Sequence, residues 1–128
     1  MDPLPQALRQ GIDEFNRACF FEAHETLEDL WRETHGPLRT FYQGLIQLAV
    51  GLYHLCNDNR RGARNQLEKG LAKLEGFQPV CQGIEVDALC RDARHWLARL
   101  KAAGDEALSV DTERLPKIRR LKDERNSA

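Results

Sequence analysis

The amino-acid sequence predicts an all-α fold: a single-domain bundle of about five helices in antiparallel hairpins, followed by an extended C-terminal segment. Three observations carry that prediction. Apolar residues recur at helical spacing in one segment after another, as in Leu4, Leu8, Ile12 and Phe15, or Ala63, Leu67, Leu71 and Leu74. No segment alternates with the two-residue period of a strand. Helix-stopping punctuation, at Gly36-Pro37, Asn57-Asp58-Asn59, Gly76 to Pro79 and Gly104, falls between the periodic segments.

At 128 residues, 41% hydrophobic and 30% charged, the chain suits one domain with one core. The expected domain spans residues 1–118, and residues 119–128 read as a frayed basic end. A net charge of −1 lacks the basic surplus of a nucleic-acid-binding domain, so no nucleic acid is expected as a partner. The basic residues Arg114, Lys117, Arg119, Arg120 and Lys122 would form only a local patch. Cys19, Cys56, Cys81 and Cys90 show neither CxxC pairing nor zinc-like spacing, and the N-terminus lacks a basic region followed by an apolar run. Free thiols and a cytoplasmic location are the expectation.

The first helix follows Asp2-Pro3, with proline in its first turn, and ends near Asn16-Arg17. After a short corner at Ala18-Cys19, Phe20 to Trp31 form a second helix, which Gly36-Pro37 stops. Thr40 to Asn57 contains no Asp, Glu, Lys or Arg. A membrane span is rejected, because Gln43, Gln47, His54 and Asn57 would be costly in lipid. The segment reads instead as a central helix buried nearly all round, with a narrow polar stripe of Thr40, Gln43, Gln47, Gly51 and His54. A capped fourth helix runs to about Glu75, Val80 to Glu85 reads as loop, and a fifth helix starts near Asp87 and stops at Gly104. His95 points away from its apolar stripe. Beyond Gly104, Leu108, Val110, Leu115, Ile118 and Leu121 suit an extended segment that docks a few side chains.

The second helix carries the candidate site. At ~100° per residue, His24 and Glu28 share its apolar side with Phe20, Ala23, Leu27, Leu30 and Trp31, while Phe21 falls beyond Glu28. Antiparallel packing about Gly36-Pro37 would set His24 near Gln47, and Glu28 near Gln43 and Gly44. His24, Glu28, Gln43, Gln47 and His54 would then share one pocket, with Gly44 and Gly51 leaving room for a backbone or a small ligand and Trp31 closing one end. Histidine and glutamate one turn apart can ligate a divalent metal, with glutamine oxygens or water completing the shell. They can also work as acid and base, or simply satisfy each other and fix the helix register. Whether the chain is an enzyme stays open at this point.

The run Phe-Phe-Glu-Ala-His-Glu-x-Leu-Glu-x-Leu-Trp, followed by Phe41-Tyr42-Gln43-Gly44-Leu45-Ile46-Gln47-Leu48-Ala49, resembles the domain of unknown function 309 family. The resemblance covers about Phe15 to Leu74 and centres on H-x-x-x-E-x-x-W, met by His24, Glu28 and Trp31. It implies a small all-helical domain with a divalent metal at His24 and Glu28. The family's corner before the motif usually carries glycine, where this chain has Arg17-Ala18-Cys19. Two functions follow as expectations. One is a pocket for a divalent metal or small ligand, with Gln43, Gln47, His54 and Trp31 around His24 and Glu28. The other is a helical-hairpin module for a protein partner or homodimer, the His–Glu pair being a structural hydrogen-bond network.

Overall fold

Prolines and left-handed residues set the helix boundaries. The structure, a computed structural model, describes residues 2–121. Helix α1 (Gln6–Asn16) begins just after Pro5, and the Asp2 carboxylate accepts from the Leu4 amide at 3.0 Å ahead of it. The corner that follows turns on Ala18, whose φ of 63° is left-handed. That is the conformation a glycine adopts at least cost, and here an alanine takes it. Helix α2 (Phe20–Glu33) then buries Phe20, Ala23 and Leu27.

Helix α3 starts at Pro37, earlier than the charge-free run suggested, because proline is preorganised for a first helical position and Gly36 takes the left-handed φ of 77° before it. It runs to Cys56. Helix α4 (Arg60–Leu74) is capped as expected: the Asn59 side chain accepts from the Gly62 amide at 3.0 Å. Helix α5 (Val86–Ala103) ends at Gly104. Among the described residues no helix is long and apolar enough to cross a membrane. The core gathers Leu8, Phe15, Leu27, Phe41, Leu45, Leu48, Leu52, Leu67, Leu74 and Leu89 between the helices.

Two expectations change. Val80 to Glu85 is no loop but a minimal hairpin, β1 (Val80–Cys81) against β2 (Ile84–Glu85), with Val80 opposite Glu85 and Cys81 opposite Ile84. Its turn residues Gln82 and Gly83 both have positive φ, 52° and 69°, the conformation whose twist matches paired strands. Arg119 and Arg120 are not frayed. The Arg119 carbonyl accepts from the Glu85 amide at 2.8 Å, Arg120 bridges to Ile84, and the Arg120 guanidinium grips both Asp2 oxygens at 2.7 and 2.9 Å. The rest of the expected basic end, residues 122–128, lies outside the described residues.

The segment after α5 is docked and extended apart from one 3-10 turn at Thr112–Arg114, while Leu121 stays exposed. Leu115 and Ile118 are buried, and the Trp96 indole donates to the Arg114 carbonyl at 3.2 Å. Asn16 closes it onto α1, donating to the Ile118 carbonyl at 2.9 Å and accepting from its amide at 2.7 Å.

Candidate functional site

One helical turn separates His24 from Glu28, so the imidazole Nε2 and a carboxylate oxygen meet at 2.9 Å on the surface of α2. A further turn brings Arg32, whose guanidinium holds the other Glu28 oxygen at 2.7 Å and Asp29 at 3.1 Å. The result is a His24–Glu28–Arg32 ladder at successive i, i+4 positions. His24 and Glu28 keep 27% and 31% of their side-chain exposure. They therefore sit on the rim of the apolar face and not within it, which corrects the expected buried placement. Arg32, the ladder's third member, is exposed.

Toward α3 the ladder meets a row of rings. Phe21 lies 5.8 Å from the His24 ring and 5.6 Å from Tyr53, and Tyr53 lies 5.9 Å from His54, each at a tilt typical of interacting aromatic pairs. These four rings, with Phe20 and Val50, line a cleft of about 200 Å³ between α2 and α3. Phe21 and Tyr53 are 46% and 38% exposed, unusual for large aromatic side chains in a domain this well packed. His54 is set from the far side, its Nδ1 lying 3.3 Å from the Asn59 side-chain Nδ2 beside the start of α4.

Of the residues expected to share a pocket, His24 and His54 come together; the others do not join them in this cleft. Gln43 and Gln47 stay half-buried on α3, and among the described residues the buried Gln47 Oε1 has no hydrogen-bond partner. Trp31 lies under the Arg39 guanidinium, 3.8 Å from its ring centre, and its buried indole nitrogen likewise has no partner among the described residues. Gly44 and Gly51 make room for α4 and not for a ligand: a Cβ at Gly44 would sit 2.9 Å from Leu74, and one at Gly51 3.0 Å from Leu67. The residues that sequence reasoning missed are Phe21, Tyr53 and Val50. The available signal was Phe21 one turn before His24 on a face otherwise rich in acids.

As a donor set for metal the pair is incomplete. Among the described residues no group of three His, Cys, Asp or Glu side chains converges, and Arg32 already occupies one Glu28 oxygen. The thiols are no stronger candidates for chemistry. Burial pushes Cys56, Cys81 and Cys90 up from the ordinary thiol range, away from the nucleophilic thiolate. All four cysteines are free.

Comparison with known proteins agrees with the resemblance. A family model described as domain of unknown function (DUF309) matches residues 8–66, which take in the His24 ladder, the ring row and the start of α4. The chain is also similar to the uncharacterized protein YpuF of Bacillus subtilis (strain 168), with 33% identity over 85 residues. That alignment takes in 65% of this chain and 49% of the relative, so the chain spans about half the length of the curated protein it matches.

Proposed function

Residues 8–66 of this chain belong to the domain of unknown function 309 family, and from that premise we propose that the segment is a small-ligand binding unit whose site is the ring-lined cleft between α2 and α3. The observation that supports it is the row His24–Phe21–Tyr53–His54 around about 200 Å³. Pockets for drug-sized ligands run from roughly 300 Å³ upward, so this one suits a single flat ring or a short apolar group. The walls offer dispersion contact, and the two imidazoles offer polar contacts at its margin. Glu28 and Arg32 hold His24 in place, so its orientation is set before a ligand arrives.

The same pair supports a second reading, a divalent cation held by His24 and Glu28. It rests on the convergence of one imidazole nitrogen and one carboxylate oxygen to 2.9 Å. A two-donor set suits only an open, exchangeable ion whose remaining positions go to water or ligand, since structural zinc takes four protein donors. The ion would have to displace the hydrogen bond within the pair and compete with Arg32 for Glu28.

One NMR and elemental-analysis series tests both. Phenol, indole and benzoate titrated into the protein are expected to give saturable shifts at Phe21, His24 and Tyr53. Val50→Trp, which fills the cleft from its wall, should weaken them roughly tenfold or more. Absence of any saturable shift overturns the cleft reading. Untagged protein carrying Zn, Mn, Fe or Ni that Glu28→Gln lacks would establish the cation. Protein that contains none and takes up none when supplied removes it.

A further inference from the structure

A second cavity shares no lining residue with the His24 cleft. It measures about 350 Å³, lies between the start of α4 and the end of α5, and is lined by Arg60, Arg61, Arg64, Asn65 and Asp105 over a floor of Leu100. From it we propose a binding site for the phosphate groups of a small phosphorylated ligand.

Arg60, Arg61, Arg64 and Asn65 stand at i, i+1, i+4 and i+5, which places all four side chains on one face of α4. Arg60 is already committed. It donates to the Gly104 carbonyl at 2.7 Å and lies 3.4 Å from Asp58, tying α4 to the end of α5 and covering a carbonyl that would repel an anion. Arg61 and Arg64 are exposed, and among the described residues neither forms an ion pair. With Arg60 committed to Gly104 and Asp58, Arg61 and Arg64 line the cavity as two uncommitted cations with the single Asp105 carboxylate.

That concentration of charge opposes the helix it belongs to. The first turn of α4 has no acidic residue, although a helix start favours negative charge and disfavours positive. A local choice that works against the fold is expected where a ligand compensates for it. A phosphate between Arg61 and Arg64 would supply the missing negative charge, and guanidinium is the side chain best matched to it, through paired N–H donors. The site rests on these side chains and not on the free amides of the helix start, because Asn59 already takes the Gly62 amide. Its volume falls at the low end of the range for small-molecule pockets. A compact phosphorylated metabolite therefore fits better than a polymer.

The experiment titrates pyrophosphate, orthophosphate and a short DNA duplex into the full chain at physiological salt, followed by calorimetry and by amide shifts in α4. Saturable pyrophosphate binding is expected, tighter than orthophosphate. Arg61→Gln and Arg64→Gln, each exposed and separately made, should each weaken it roughly fivefold to tenfold, while Lys117→Gln on the C-terminal segment leaves it unchanged. Both arginine variants should melt no lower than the parent, since each removes a positive charge near a helix start. No saturable pyrophosphate binding, equal binding by all variants, or binding of DNA without pyrophosphate would each overturn the proposal.

Discussion

The two long sides of α3 are packed by opposite means. Toward α4 the helices close over glycines: a Cβ at Gly44 or Gly51 would meet the Leu74 or Leu67 side chain at 2.9 or 3.0 Å, and one at Gly70 would lie 2.9 Å from the Gly44 carbonyl oxygen. Toward α2 the contact ends in large rings, two of them half in water, around a cleft of about 200 Å³. Small residues let helices approach until nothing can enter, whereas large side chains at an edge leave gaps between them. The α3–α4 face is therefore the scaffold, and the α2–α3 face is the one on which the proposed ligand would sit.

The largest expected effect lies on the scaffold side. Gly70→Ala should destabilise the protein by about 2 kcal/mol, because the clash meets backbone atoms of α3 that cannot rotate away, and this outweighs the ~1 kcal/mol that alanine contributes to a helix interior. Chemical denaturation measures it. An unchanged midpoint would show that α3 and α4 can separate at little cost, and the contrast between the two faces would fail.

On the cleft side His24→Ala should cost less than about 1 kcal/mol, since the pair with Glu28 is part exposed and such pairs contribute little. The same denaturation curve reads it. A loss comparable to that of Gly70→Ala would make the ladder part of the scaffold and favour the structural network over a site.

The smallest effect concerns the chain ends, which neither face of α3 includes. The Arg120 guanidinium and the Leu4 amide hold the Asp2 carboxyl down, from 3.8 to about 2. A depressed acid stabilises the folded state above its ordinary value, so the contribution is whole above pH 3.8 and fades as pH falls toward about 2. Stability measured across that window should decline less steeply in Asp2→Asn. Identical slopes would show that the clasp contributes nothing.

The helices were legible because each one repeats its apolar residues at its own period, so that Leu67, Leu71 and Leu74 announce α4 without reference to anything else. Helix boundaries set by local chemistry, such as the Asn59 cap, were legible for the same reason. The hairpin at Val80–Glu85 was not, since it depends on Gln82 adopting a left-handed conformation that its residue type does not advertise. In the site, His24 and Glu28 were visible as an i, i+4 pair, and His54 as part of the polar stripe on an apolar helix. Gln43 and Gln47 were drawn in by counting outward from a turn, which gives the level of a residue along a helix but not the direction it faces.

What the sequence determined by itself is therefore everything carried by a period or a cap: five helices, their amphipathic faces, the corner before α2, and the His24–Glu28 contact. Tertiary structure alone decided which face of α3 closes on which neighbour. Gly44 and Gly51, placed in the candidate pocket by spacing, belong to the α4 contact, and Phe21 and Tyr53 become the walls of the cleft. The reason is that a helix's period is written within its own residues, but its rotation about its axis is settled by the volumes of residues on other helices. Leu67 and Leu74 claim the glycine face, and what is left to meet α2 is the face that carries Val50, Tyr53 and His54.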